Sequence, residues 1–176
     1  MDTEEILKRQ SAKKAAQLLK DQERILGFKA AKGFKKINNI TDMYTIGKEL
    51  GAGAFGAVRV GQHKATKVVV AIKIIKKVKL QESEIYQELM KNELQILEAA
   101  DHPNITRVFE LMEDRKCYYV VMEFCSGGNL LDVVVKQKKM TERVACDVIY
   151  QILLALNYMH TKNMMHRDLK PENLLV

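Results

Sequence analysis

The segment Gly51-Ala-Gly-Ala-Phe-Gly-Ala-Val58 restricts the possible folds more than any other stretch of this sequence. Three glycines at this spacing allow a tight turn whose backbone N–H groups can approach phosphate oxygens with no Cβ in the way. The same G-x-G-x-x-G pattern serves dinucleotide-binding folds, where it opens a helix. Here Gly56 leads instead into Val58-Arg-Val60, and Tyr44-Thr-Ile-Gly-Lys-Glu-Leu50 alternates on the other side. Both flanks carry a strand pattern. The glycines are therefore expected to join two antiparallel strands.

The rest of the chain extends this reading. Val68–Ile75 and Tyr118–Met122 are β-branched or aromatic runs of strand length, and Gly61–Lys67 is a polar turn. Glu84–Ala99 has Ile85, Leu89, Ile96 and Leu97 near helical spacing, with Ser83 as a candidate N-cap. Asp101-His-Pro-Asn104 ends that helix, because proline cannot continue it. After Gly127-Gly128 the pattern turns helical. Leu130–Lys138 is a short candidate. Glu142–His160 is a longer one, entered at Thr141 and apolar at Val144, Ala145, Val148, Ile149, Ile152, Leu153, Leu156 and Met159. The layout is a sheet with one helix, a glycine hinge and the start of a helical lobe.

Residues 1–43 are of another kind. Ile6, Ala15, Leu18, Leu19, Ile25 and Leu26 lie among Lys, Arg, Glu and Gln, an imperfectly amphipathic pattern rich in helix formers. Lys29–Lys36 adds positive charge and Asn38-Asn39 signals a loop. The ordinary reading is a solvated leader; a membrane-surface or calmodulin-target helix is the sharper one. The formal net charge of +7 favours anionic partners without choosing among them. Cys117, Cys125 and Cys146 have no C-x-x-C spacing, which argues against a disulfide framework or zinc site. Met-Asp-Thr-Glu-Glu is not a signal peptide, and the longest apolar runs are too short to span a bilayer. A cytoplasmic location is expected.

Two further motifs carry chemistry. Lys73 closes Val70-Ala-Ile-Lys and is expected to be a mostly buried cation in need of an anionic partner. Taken alone, an edge lysine reaching solvent is the favoured reading; with the glycine loop upstream, phosphate pairing is. His166-Arg-Asp-Leu-Lys-Pro-Glu-Asn173 follows the long helix. A carboxylate and a neutral oxygen donor held in one short loop suit proton handling and a hard cation.

Together, these motifs over residues 44–176 resemble the eukaryotic serine/threonine protein kinases. The resemblance implies an α+β, two-lobe fold: an antiparallel five-stranded sheet with one main helix at 44–122, a hinge at 123–128 and the start of a helical lobe at 129–176. It implies ATP and Mg2+ as cofactors. Leu50, Gly51, Ala52, Gly53, Ala54, Phe55, Gly56 and Val58 would form the flap over the nucleotide. Lys73 would pair with the α- and β-phosphates and with a helix glutamate. Glu93 is the best match for that glutamate, with Glu88 and Glu98 competing. Met122 would be the gatekeeper, Glu123 and Cys125 would meet the adenine edge, and Val58, Ala71 and Leu175 would sandwich the ring. Asp168 would orient the substrate hydroxyl, Lys170 would offset charge on the transferred phosphoryl, and Asn173 would hold one magnesium ion.

Lys170 stands where serine/threonine kinases carry a lysine, so the implied reaction is ATP-dependent phosphorylation of a protein serine or threonine. Arg167 resembles kinases switched on by activation-loop phosphorylation. Asn129 departs from the glutamate of many basophilic relatives, which weakens an arginine-directed substrate preference. The overall pattern looks most like the calcium/calmodulin-regulated or calcium-dependent branch. The sequence stops at Val176, ahead of the expected D-F-G segment. The chain alone is expected to be inactive, the apolar face of Glu142–His160 to be uncovered and stability to be poor. A catalytically inactive nucleotide-binding or regulatory relative is the alternative. A protein substrate and a regulatory partner for the basic N-terminal segment are expected, nucleic acid is not.

Overall fold

The computed structural model describes residues 33–53, 56–80 and 84–176. The expected helix over 4–28, the flap residues Ala54 and Phe55, and the candidate cap Ser83 lie outside these. The chain divides into two compact units, one running up to Asp101 and resuming over Thr106–Phe124, the other made of His102–Ile105 and Cys125–Val176.

The first unit is built on a six-stranded sheet: β1 (Phe34–Lys36), β2 (Tyr44–Gly53), β3 (Gly56–His63), β4 (Val69–Lys76), β5 (Val108–Glu113) and β6 (Cys117–Glu123). Their order across the sheet is β1-β5-β6-β4-β3-β2. The five antiparallel strands expected from the sequence are all present. The sheet is larger than expected by β1, which pairs in parallel with β5 and comes from the segment read as an extension. Phe-Lys-Lys has no alternation to betray it. Its place is set by Phe34, whose ring meets Tyr118 edge-on at 5.1 Å, and by Ile37 N–H, which donates to the Glu113 carbonyl.

Period-2 alternation divides the apolar residues of this sheet between two cores. On one face lie Ile40, Tyr44, Val70, Ile72, Phe109, Met112, Tyr119 and Val121. On the other, Ile75, Leu111, Tyr118 and Val120 meet Leu94 of helix α1 (Glu84–Glu98), with Met90 and Leu97 packed alongside. Val108 and Leu111 both lie in the second core although they are three residues apart, an odd step that the register shift between Val108 and Glu110 accommodates. Tyr44 is fully buried, and its hydroxyl donates to Glu110 Oε1 at 2.7 Å. Burial and that carboxylate push the Tyr44 hydroxyl well above the usual tyrosine range. Just past the C-terminal end of α1, the Arg107 guanidinium donates to the Ala100 carbonyl at 2.6 Å and so ties down the chain that leaves the helix.

The second unit holds α2 (Leu130–Gln137) and α3 (Glu142–Thr161). Asn129 caps α2 by accepting from Asp132 N–H, and Thr141 caps α3 by accepting from Val144 N–H. Lys138 ends α2 in the left-handed region at φ 62°, where glycine is more usual. No residue of α3 is buried, and Val144, Ile149, Tyr150, Leu153 and Leu154 are exposed, as the sequence led us to expect. No helix among the described residues is long and apolar enough to cross a membrane.

Candidate functional site

The glycine segment lies where β2 meets β3: Gly51 pairs with Val58, Ala52 with Ala57 and Gly53 with Gly56. It opens no helix, which removes the dinucleotide-fold alternative. The two outer glycines have different reasons to be glycine. A Cβ on Gly56 would stand 1.7 Å from the Ile74 carbonyl oxygen, so close approach to β4 alone demands glycine there. A Cβ on Gly51 would meet nothing within 4 Å. Packing does not require glycine at 51, whereas a ligand approaching the backbone would. Leu50 and Ala52 are exposed beside it.

Register places four expected nucleotide contacts on one sheet face. Lys73 is directly opposite Val58 on β3, and Ala71 is directly opposite Met122 on β6. Ala71 and Lys73 are two apart on β4, so all four side chains share a side. Lys73 corrects the expectation of a buried cation: it is exposed, and its β3 neighbour Val58 belongs to neither buried core, although Val120 on its other side is buried. The backbone of Glu93 is in α1, but its side chain lies outside the described residues, so its pairing with Lys73 stays an expectation. Of the competitors, Glu98 accepts from Gly33 N–H at 3.1 Å and its carboxyl is pushed up by burial, while Glu88 is exposed. Glu123 N–H is committed to the Arg107 carbonyl at 2.9 Å.

In the second unit, Gly127, Gly128 and Leu130 form a short ladder with residues 174–176. Gly127 N–H donates to the Val176 carbonyl, Val176 N–H to the Gly128 carbonyl and Leu130 N–H to the Leu174 carbonyl. Leu175 stands opposite Asn129 and is half exposed. A Cβ on Gly127 would lie 2.5 Å from the Val176 carbonyl oxygen, so this glycine is what admits the ladder. Sequence reasoning read the pair Gly127-Gly128 only as a hinge. Cys125, which precedes it, is half-buried.

The loop after α3 gathers the three residues expected to act on substrate and metal. Asp168 Oδ1 lies 3.1 Å from Lys170 Nζ, and Asp168 Oδ2 accepts from Asn173 Nδ2 at 2.8 Å. The same Asn173 amide donates to the Asp168 carbonyl at 2.7 Å. Asp168 N–H donates to His166 Nδ1 at 3.3 Å, so the histidine braces the loop. A one-turn 3-10 segment, Pro171–Asn173, brings Asn173 back, with proline supplying the fixed φ at its start. Arg167 sits in the left-handed region at φ 62°, a conformation unusual for a long side chain. The Lys170 ammonium and the Asn173 amide hold the Asp168 carboxyl below its ordinary range. All three side chains are solvent-exposed. Asn173 spends its nitrogen on Asp168 and so leaves Oδ1, the atom a hard cation takes.

Residues 44–176 match the model of the protein kinase domain. The chain belongs to the protein kinase family. Such domains use ATP and divalent metal. The chain is 41% identical over 133 residues to a hormonally up-regulated neu tumor-associated kinase homolog of Xenopus tropicalis, covering 76% of this chain and 19% of that protein. It is 39% identical over 169 residues to the calcium/calmodulin-dependent protein kinase type 1 of Macrobrachium nipponense, covering 96% and 45%. It is 40% identical over 144 residues to the serine/threonine-protein kinase DCLK1 of Rattus norvegicus, covering 82% and 33%. The chain thus spans less than half the length of each of these curated relatives. By family it is a serine/threonine kinase, with the α+β fold of that family.

Proposed function

We propose that this chain carries the nucleotide flap and catalytic loop of a kinase that moves the γ-phosphoryl group of ATP to a serine or threonine hydroxyl of a protein. The observation that supports this most directly is the Asp168–Lys170–Asn173 cluster, a carboxylate kept ionised beside a cation and an unused amide oxygen. Asp168 accepts the proton as the substrate oxygen attacks the γ-phosphorus, the bond to the β-phosphate oxygen breaks, and ADP leaves with its electron pair. Lys170 offsets the negative charge of the group in transit.

Bound Mg-ATP supplies the phosphoryl group and neutralises its charge. Asn173 Oδ1 would take one metal ion. Backbone N–H groups of residues 51–56, with Leu50, Ala52, Ala54 and Phe55 in the flap, would hold the phosphates together with Lys73, steadied by Glu93. Val58, Ala71, Met122 and Leu175 give the adenine apolar surface, and the Glu123 carbonyl and Cys125 backbone its polar edge. A name carrying calcium/calmodulin among the relatives supports the same branch.

The test is phosphoryl transfer by the full-length protein with and without Lys73→Met. The expected outcome is loss of at least two to three orders of magnitude in kcat, the scale on which removing one electrostatic stabiliser acts. An unchanged rate refutes the role of Lys73. Tight nucleotide binding with no transfer from the unaltered protein would assign it to the inactive relatives instead.

A further inference from the structure

Helix α1 meets the sheet through Met90, Leu94 and Leu97, which pack into the second core. That core lies on the sheet face that carries Ala71, Lys73 and Met122. Ile75 follows Lys73 by two residues on β4, and Tyr118 and Val120 precede Met122 by even steps on β6. Met122 itself packs against the second core. The seat of α1 and the expected nucleotide contacts therefore share one surface.

Strand β1 reaches this seat from the edge of the sheet. Phe34 stands opposite Leu111 and packs into the second core, its ring edge-on to Tyr118 at 5.1 Å. The same Tyr118 ring has the Lys91 ammonium of α1 at 5.3 Å from its centroid, within cation–π range. One residue before Phe34, Gly33 N–H donates to Glu98 Oε2 at 3.1 Å, in the last turn of α1. Glu98 is half-buried and burial pushes its carboxyl up, so an N–H donor there offsets part of the cost of that burial. Gly33 holds φ at 105°, a backbone that residues with a side chain rarely adopt, yet a Cβ there would come no nearer than 3.8 Å to Gln95 Nε2. Backbone shape, not crowding, demands glycine at 33. A short strand with exposed lysines also blunts a sheet edge. That service needs backbone pairing and Lys35 and Lys36; it leaves the Phe34 ring and the Gly33 turn unexplained, and both meet the seat of α1.

We propose that Gly33 and Phe34 are positioning residues. They clasp the last turn of α1 to the sheet and so set how often α1, which carries Glu93, is seated for nucleotide binding. The clasp stands on the contacts above, whereas its effect on nucleotide rests on the kinase reading. When a binding-competent state is partly populated, apparent affinity falls by that fraction, and saturating ligand restores the state. Loosening the clasp should therefore raise KM for ATP and spare kcat. A general loss of folded protein would lower the rate at saturation instead.

The test compares Gly33→Ala, Phe34→Ala and Lys35→Ala in the full-length protein. Lys35 is the control, because its ammonium meets Met43 Sδ at 3.8 Å beside the first core. Amide hydrogen exchange is read first, without nucleotide. Gly33→Ala and Phe34→Ala should each speed exchange over Leu94–Ala100 about threefold or more, with Val120 and Val121 at the parent rate. Lys35→Ala should change neither. With Mg-ATP, KM should rise about threefold or more in the first two variants while kcat stays within about twofold of the parent. Parent exchange rates in α1, acceleration spread equally over β6, or a Lys35→Ala effect equal to that of Phe34→Ala overturns the clasp. Faster exchange in α1 with an unchanged KM, or with a fall in kcat alone, overturns the positioning role. Should Phe34→Ala fail to fold, Gly33→Ala decides alone, since it removes no side chain. An unaltered protein that binds no Mg-ATP defeats the kinase reading, and exchange then decides the clasp by itself.

Discussion

Asp168 accepts a hydrogen bond from an asparagine on one oxygen and faces a lysine with the other. Both partners favour its ionised form, Lys170 first and Asn173 second. Since the folded carboxyl titrates below its unfolded value of about 3.9, its contribution to stability is complete above that value and is lost as pH falls through the folded one. Exposure keeps that contribution small, so the consequence is better read at the residue itself. In an NMR titration the Asp168 carboxyl should show a midpoint below that of ordinary aspartates, and Lys170→Met should raise it. A midpoint unmoved by Lys170→Met would remove the lysine from the cluster. The flap glycines give a paired test. Gly56→Ala pushes a Cβ into the Ile74 carbonyl and should cost about 1–3 kcal/mol in chemical denaturation. Gly51→Ala should stay within about 0.5 kcal/mol of the parent and weaken nucleotide binding. Equal stability effects at the two positions would contradict the strand pairing described.

The helices were legible from sequence because their signals are local. Thr141 before an apolar stripe marked the start of α3 to the residue, and Asp101-His-Pro-Asn104 marked the end of α1. Thr141 Oγ1 accepts from Val144 N–H at a long 3.4 Å. Thr141→Ala should therefore cost toward the lower part of the usual range for caps, about 0.5–1 kcal/mol by denaturant melting. No loss at all would mean that the cap is decorative. Strand β1 was not legible, because three residues with two lysines carry no period; it exists through contacts 65 to 77 positions away, with Glu98 and Leu111. The exposure of Lys73 was also hidden. An apolar run predicts that a strand is buried, but which of its positions α1 covers is a tertiary fact.

At the scale of the whole molecule, each unit carries its own share of the chemistry. The first gathers Gly51, Val58, Ala71, Lys73 and Met122 through strand register. The second gathers Asp168, Lys170 and Asn173 through one turn of 3-10 helix. The motifs identified these residues as types in order along the chain. What they could not give is the hydrogen bonding that commits Asn173 nitrogen to Asp168, or the ladder that sets Leu175 opposite Asn129. Both depend on residues brought together only by the folded loop. The most direct test of the account is a titration of this chain with Mg-ATP, followed by backbone amide NMR. The account predicts shifts at residues 50–58, at Ala71 and Lys73 and at Asp168–Asn173, all weakened by Lys73→Met. Amides that stay in place there, or that move only elsewhere, would contradict it.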